Sequence, residues 1–291
     1  MRANGVDLCV ETFGDHASPA ILLISGGASS MDWWEDGFCR RLAAAGPLFV
    51  VRYDFRDTGQ SVSYPPGAPE YAGSDLVADA IGLLDALSIE QAHLVGISMG
   101  GALAQEAALA YPTRVASLTL IATSPAVPRP PDRPTLPPPA PELAARFADP
   151  PPPPDWTNRE AVIDYFLDDL RAHEGSIPSD QAALRALVAR VVDRTVNMES
   201  SLTNHFVLDD GEPVPGRLSD IAAPTLVLHG TEDPLFPLAH GQALAAEIPN
   251  ARLIRLEGMG HQVPPRPLWD QVISAILEHT TGPGGWGQAS A

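Results

Sequence analysis

The chain has 291 residues, 45% apolar and 19% charged, and a formal net charge of −18. At roughly 150 residues per domain, that length allows two units, or one α/β domain with an insertion and a sizeable core. So acidic a chain repels nucleic acid and anionic membrane surfaces, which excludes both as partners.

The opening MRANGVDLCV has neither an apolar h-region nor a small-residue cleavage site, and no apolar run reaches the ~18 residues a bilayer span needs. A cytoplasmic protein is expected. VDLCVETF (6–13) alternates like a strand, and AILLISG (20–26) is a continuous apolar run, as in a strand buried on both faces. MDWWEDGFCRRLAAAG (31–46) reads as a helix ending at Gly46, and PLFVVRYD (47–54) as the next strand. In GSDLVADAIGLLDALSI (73–89) the apolar residues Leu76, Val77, Ala80, Leu83, Leu84 and Leu87 fall at helical spacing. AHLVGIS (92–98) is a strand, GGALAQEAALAYP (100–112) a helix and VASLTLIAT (115–123) a strand. Strands alternating with helices predict a mostly parallel sheet.

From Pro125 to Pro154 the texture changes: 14 of 30 residues are proline, which reads as loop or polyproline segment. Helical patterns return at 158–173 and 179–196. The alternation resumes with the strand PTLVLHG (224–230), the helix 238–248, the strand ARLIRLEG (251–258) and the helix 267–280. Residues 1–124 and 216–281 therefore read as one α/β core. Residues 125–215 read as a proline-rich loop and helical cap inserted into it, and 282–291 as a disordered tail.

All 18 basic residues are arginine. The absence of lysine excludes a Schiff-base lysine, a Ser-Lys dyad and a P-loop lysine. Cys9 and Cys39 have no metal or CxxC spacing and read as buried free thiols. No residue cluster has metal-ligand spacing, so neither a metal nor an organic cofactor is expected.

Gly96-Ile97-Ser98-Met99-Gly100 fits G-x-S-x-G between a strand and a helix, the turn that presents a serine hydroxyl at the carboxyl edge of a sheet. Glycines at 96, 100 and 101 clear the close approach of strand and helix. A serine needs a base. His261, in the glycine-rich loop EGMGHQVPP after the last strand, is the candidate. His16, His173, His205 and His279 read as surface residues, His93 and His229 as residues in or beside strands, and His240 as a helix residue. Asp233, in HGTEDPLFP, is the candidate acid, with Glu232 as its rival. The oxyanion-hole amides are expected from Met99, at the start of the helix, and from Gly27, in the glycine loop after AILLISG. Trp156, Tyr165 and Phe166, clustered near the first cap helix, are candidate substrate-binding residues.

Taken together, these motifs resemble the α/β-hydrolase family over residues 6–124 and 216–280. RYDFRDTGQS (52–61) looks like the family's Asp-x-Arg-Gly-x-Gly-x-Ser stretch, with Asp57 in place of the usual glycine. Asp54, Arg56, Gly59 and Ser61 read as scaffold. Ser25-Gly26 stands where the family usually has His-Gly. The Arg-Asp-Thr-Gly variant, SGGASSMDW and GMGH together look most like the esterases related to aclacinomycin methylesterase. The resemblance implies a parallel sheet flanked by helices under an inserted helical cap. It also implies hydrolysis of a carboxylic ester, such as a methyl ester of a bulky apolar compound, through a Ser98–His261–Asp233 triad and an acyl-enzyme. Haloalkane dehalogenases and epoxide hydrolases place Asp where this chain has Ser98, and are excluded. Lactonase, C–C bond hydrolase and cofactor-free perhydrolase chemistry remain open on the same triad. So does, from another class, a non-catalytic small-molecule receptor, which would give no burst of alcohol from an activated ester.

Overall fold

A computed structural model describes residues 1–282. The chain starts with a two-stranded ribbon, β1 (Arg2–Ala3) and β2 (Val6–Asp7), and then builds the sheet from β3 (Val10–Phe13) and β4 (Ala20–Ile24). α1 (Asp36–Ala45), β5 (Phe49–Tyr53), α2 (Gly73–Ala86), β6 (Ala92–Ile97), α3 (Met99–Ala110) and β7 (Val115–Ile121) follow in strict alternation. The chain then leaves the sheet through α4 (Pro141–Ala148), α5 (Arg159–His173), α6 (Gln181–Arg194) and α7 (Met198–Thr203). It returns with β8 (Thr225–Gly230), α8 (Ala239–Glu247), β9 (Arg252–Leu256) and α9 (Trp269–Thr281). The sheet order is β3-β5-β4-β6-β7-β8-β9, with every pairing parallel except the antiparallel edge pair β3–β5.

The continuous apolar runs are explained by burial on both faces. In β4, Leu22 and Ile24 enter one core with the helices α2, α3 and α8, whereas Ile21 and Leu23 enter the other with α1 and α9. Leu76, Val77, Ala80, Leu83 and Leu84 of α2 are all buried, as their spacing requires. The helices of the excursion share a smaller core of Val162, Ile163, Phe166, Leu167, Val188, Val191 and Met198.

Three local expectations are corrected. The strand expected over 6–13 is split, because β2 pairs with β1 while β3 joins the main sheet. The helix expected over 31–46 is a short 3₁₀ turn, Met31–Trp33, followed by α1. Between them the carbonyl of Trp34 turns away to accept bonds from Arg52 and the Cys39 thiol. Within the proline-rich segment, α4 forms because Pro141 sits at its first position, where no amide is needed, ahead of the helix-forming ELAARFA. Of the two cysteines, Cys39 is buried, its thiol pushed up to about 12 by burial, and Cys9 is half-buried. The expected tail lies outside the described residues, apart from Gly282. Among the described residues, no helix is long and apolar enough to cross a membrane.

Candidate active site

Ser98 sits between β6 and α3 with φ +51° and ψ −119°, a conformation a non-glycine residue adopts only when its surroundings impose it. Its amide donates to Ile121 O (3.0 Å), and its carbonyl accepts the Thr123 hydroxyl (2.7 Å). The neighbouring glycines are sterically required. A methyl group on Gly96 would collide with the Gly100 carbonyl, and one on Gly100 with the carbonyls of Ile24 and Ser25. One on Gly101 would stand 2.7 Å from the Thr123 side chain.

Ser98 Oγ lies 2.9 Å from His261 Nε2, and His261 Nδ1 lies 2.9 and 3.1 Å from the two carboxylate oxygens of Asp233. Three residues from three separate loops thus form one continuous hydrogen-bonded line. Asp233 is held rigidly: its Oδ1 accepts the amides of Leu235 (2.9 Å) and Phe236 (2.8 Å), and the Phe236 ring packs edge-on against His261. The ring of His229, buried behind the acid, donates from Nε2 to the Phe236 carbonyl (2.6 Å). Burial lowers its pKa and keeps it neutral.

Glu232, the rival acid, faces elsewhere. Its carboxylate accepts the amide (2.7 Å) and hydroxyl (2.9 Å) of Ser176, just beyond α5. The same stretch supports the histidine loop, since the His261 amide donates to the His173 carbonyl (2.7 Å). Glycine is needed on both sides of this seam. A methyl on Gly175 would strike Gly258 O, and one on Gly260 would strike His173 O. His173 is therefore half-buried, its ring 6.1 Å from that of His261.

The glycine loop after β4 lies against the nucleophile. A methyl on Gly26 would stand 3.5 Å from Ser98 Cβ, and one on Gly27 would stand 3.7 Å from Met99 Sδ. The amides of Gly27 and Met99 bond to no protein acceptor among the described residues, whereas the Ala28 amide donates to His205 Nδ1 (3.0 Å). His205 is thus a buried residue rather than the surface one its local sequence predicts. His279 also is half-buried, within hydrogen-bond distance of the Leu118 and Pro224 carbonyls, and His16 alone of the four is exposed.

The candidate substrate residues fall elsewhere. Phe166 packs edge-on against Trp33 in the excursion's own core. Trp156 packs against Tyr165 and borders a cavity of about 390 Å³ together with Val162, Val196 and Met198. Ser98, Met99 and His261 take no part in that cavity's wall. The side chains close to the triad are instead Phe236 and His173, with Phe147 behind His173 and the exposed Phe206 beside Gly27. No periodicity or motif in the sequence singles out these four as neighbours of the triad.

The residues read as scaffold build the support under the glycine loop. The fully buried Asp54 accepts the amides of Met31 (2.8 Å) and Gln60 (2.9 Å) and a two-pronged ion pair from Arg194 of α6 (2.6 and 2.7 Å). Arg56 forms a two-pronged pair with Asp79 (2.7 Å each), and the Ser61 hydroxyl donates to Asp54 O (2.6 Å). Gly59, at φ +50°, has no room for a side chain against Asp54. Asp57 takes the left-handed conformation of the glycine it replaces (φ +66°), and its carboxylate accepts from the Tyr64 amide, the Tyr71 hydroxyl and Asn204 Nδ2. Among the described residues, no group of three or more His, Cys, Asp or Glu is arranged to hold a metal ion.

The alpha/beta hydrolase fold family matches residues 19–264. The rhodomycin D methylesterase DauP of Streptomyces sp. (strain C5) is 32% identical over 94% of this chain and 95% of its own length. The rhodomycin D methylesterase DnrP of Streptomyces peucetius is 31% identical over 94% and 95%. Among solved structures, the enol-lactonase from Burkholderia xenovorans LB400 superposes with a TM-score of 0.69 at 22% identity, covering 95% of this chain and 97% of that one.

Proposed function

The chain belongs to the alpha/beta-hydrolase fold family, and from that premise we propose that it is a serine carboxylic-ester hydrolase acting on a methyl ester of a bulky, apolar, uncharged compound. The observation that carries the reading is the line Ser98 Oγ–His261 Nε2–His261 Nδ1–Asp233, with 2.9 Å steps, beside two uncommitted amides. The likeness to two methylesterases over almost the full chain supports the choice of ester.

In this reading Ser98 Oγ attacks the ester carbonyl while His261 Nε2 takes its proton. Asp233 stays ionised, accepts the Nδ1 hydrogen and stabilises the imidazolium. The amides of Met99 and Gly27 donate to the oxyanion of the tetrahedral intermediate. Collapse breaks the C–O bond, and His261 returns the proton to the departing alcohol. A water molecule, deprotonated by His261, then attacks the acyl-serine and releases the carboxylic acid, leaving Ser98 and His261 as they began. No step needs a redox partner or a bound group. Residues 125–215 act as the cap that bounds the substrate site.

The test is a panel of neutral methyl and aryl esters, lactones, acyl-CoA thioesters and vinylogous diketones with the purified protein. Methyl esters of large apolar acids should give the highest kcat/KM, and Ser98→Ala should abolish turnover. A lactone or a diketone above every ester by more than about tenfold, about 1.4 kcal/mol at the transition state, would reassign the reaction.

A further inference from the structure

The segment Asn204-His205-Phe206 leaves the end of α7 and lies against the glycine loop after β4, although some 177 residues separate His205 from Ala28. Asn204 is fully buried: its Nδ2 donates to Asp57 (2.9 Å), and its Oδ1 accepts the Gly67 amide (2.7 Å). Phe206 follows, its ring 3.6 Å from where a side chain on Gly27 would begin, with 71% of its surface exposed.

His205 lies between them, 7% exposed. Its Nε2 is 2.9 Å from the Arg56 carbonyl and its Nδ1 is 3.0 Å from the Ala28 amide nitrogen. A carbonyl only accepts and an amide N–H only donates, so these partners define the ring: Nε2 carries the hydrogen and Nδ1 is bare. Burial lowers its pKa and favours this neutral form, against the opposing pull of the Arg56 carbonyl and the Asp57 carboxylate. Ala28 itself has φ +57°, a left-handed conformation that strains an alanine and must be held by its neighbours. The bond to His205 holds it, and it removes the Ala28 amide from competition for the substrate oxygen.

We propose that His205 is a positioning residue for the oxyanion hole: by accepting the Ala28 amide it fixes the Gly27–Ala28 peptide, and through the Gly27 backbone the preceding Gly26–Gly27 peptide, so that the Gly27 N–H faces the carbonyl above Ser98. This rests on the reading of Gly27 and Met99 as the oxyanion donors. It makes the α7 end of the insertion part of the machinery that stabilises the transition state, and not only a wall for the substrate.

The test compares His205→Asn with His205→Gln. Asparagine places an acceptor near the Nδ1 position; glutamine reaches the Nε2 position but offers Ala28 nothing. Both are assayed with p-nitrophenyl acetate below the lower of their melting temperatures. An aryl trifluoromethyl ketone, which forms an oxyanion adduct with the serine, serves as the transition-state mimic. His205→Gln should lose about 10- to 100-fold in kcat, less than the ~10²–10³ of deleting a donor outright. Its KM should stay within about twofold, and the ketone Ki should rise in step with the loss in kcat/KM. His205→Asn should stay within about threefold of wild type in kcat. Equal kcat in the two variants, or a loss in His205→Gln that appears only in KM, would overturn the proposal while leaving the esterase reading intact. A wild-type protein without Ser98-dependent hydrolysis would overturn both.

Discussion

Replacing Asp233 with Asn probes the triad through the hydrogen bonds that orient its acid. Asp233 Oδ1 accepts two backbone amides, at 2.9 and 2.8 Å, and these can only donate. The asparagine oxygen must therefore take that position, which forces its NH₂ into the place of Oδ2, 2.9 Å from His261 Nδ1. Nδ1 then faces a donor and must give up its hydrogen. The neutral ring carries its hydrogen on Nε2, where it can no longer receive the Ser98 proton. In trypsin-like proteases, a worked case of this exchange, the wrong tautomer drops kcat about 10⁴-fold. The same geometry here sets the expected loss at ~10⁴, about 5 kcal/mol in the barrier. Glu232→Gln is the control. Among the described residues its carboxylate bonds to Ser176 alone, at 2.7 and 2.9 Å, so the change should alter kcat by less than about threefold. The assay is steady-state hydrolysis of an aryl acetate with both variants, alongside their melting temperatures. An Asp233→Asn enzyme within tenfold of wild type, or a larger loss in Glu232→Gln, would refute the reasoning.

Arg194→Met leaves the fully buried Asp54 carboxylate without its ion partner and should cost about 3 kcal/mol by urea denaturation; a cost below about 1 kcal/mol would show that the Met31 and Gln60 amides suffice. His93 is buried, its Nδ1 bonded to Ser117, and burial lowers its pKa to about 4. Because the unfolded chain binds this proton near pH 6.5, the stability it lends is present above that pH and lost as pH falls towards 4. Wild type should therefore lose about 2 kcal/mol more than His93→Asn between pH 7 and pH 5. Equal losses in urea melts would contradict this. Neutral methyl or aryl esters should exceed acyl-CoA thioesters by at least about tenfold in kcat/KM at low salt, with the gap narrowing as salt rises. The cause is the field of a chain at −18, with Asp164, Asp168 and Asp169 on α5; parity at low salt would refute the steering argument.

The sheet was legible because each of its elements carries its own local signature. Apolar runs such as AILLI are buried on both faces, and the α2 spacing matches the face it buries. The turn around Ser98 was legible for a steric reason: where backbone carbonyls leave no room at Gly96 and Gly100, the sequence must write glycine. Elsewhere the determining contacts are long-range. Nothing in TNHFV marks His205 as buried, because its partners Ala28 and Arg56 lie far away in the chain. The proline count hid α4, since proline is tolerated at a helix's first position and Pro141 stands there. Trp156, Tyr165 and Phe166 cluster just before and within α5, and that clustering does not distinguish side chains packed into the insertion from ones lining a substrate site.

The central claim is that Ser98 is the nucleophile, activated by His261. The most direct measurement is labelling with a fluorophosphonate probe followed by peptide mapping of wild type and Ser98→Ala. The account expects one covalent adduct per chain, on the peptide containing Gly96-Ile97-Ser98-Met99-Gly100, and no adduct in the variant. Labelling of Ser98→Ala at the wild-type rate, or mapping of the adduct to another residue, would contradict it.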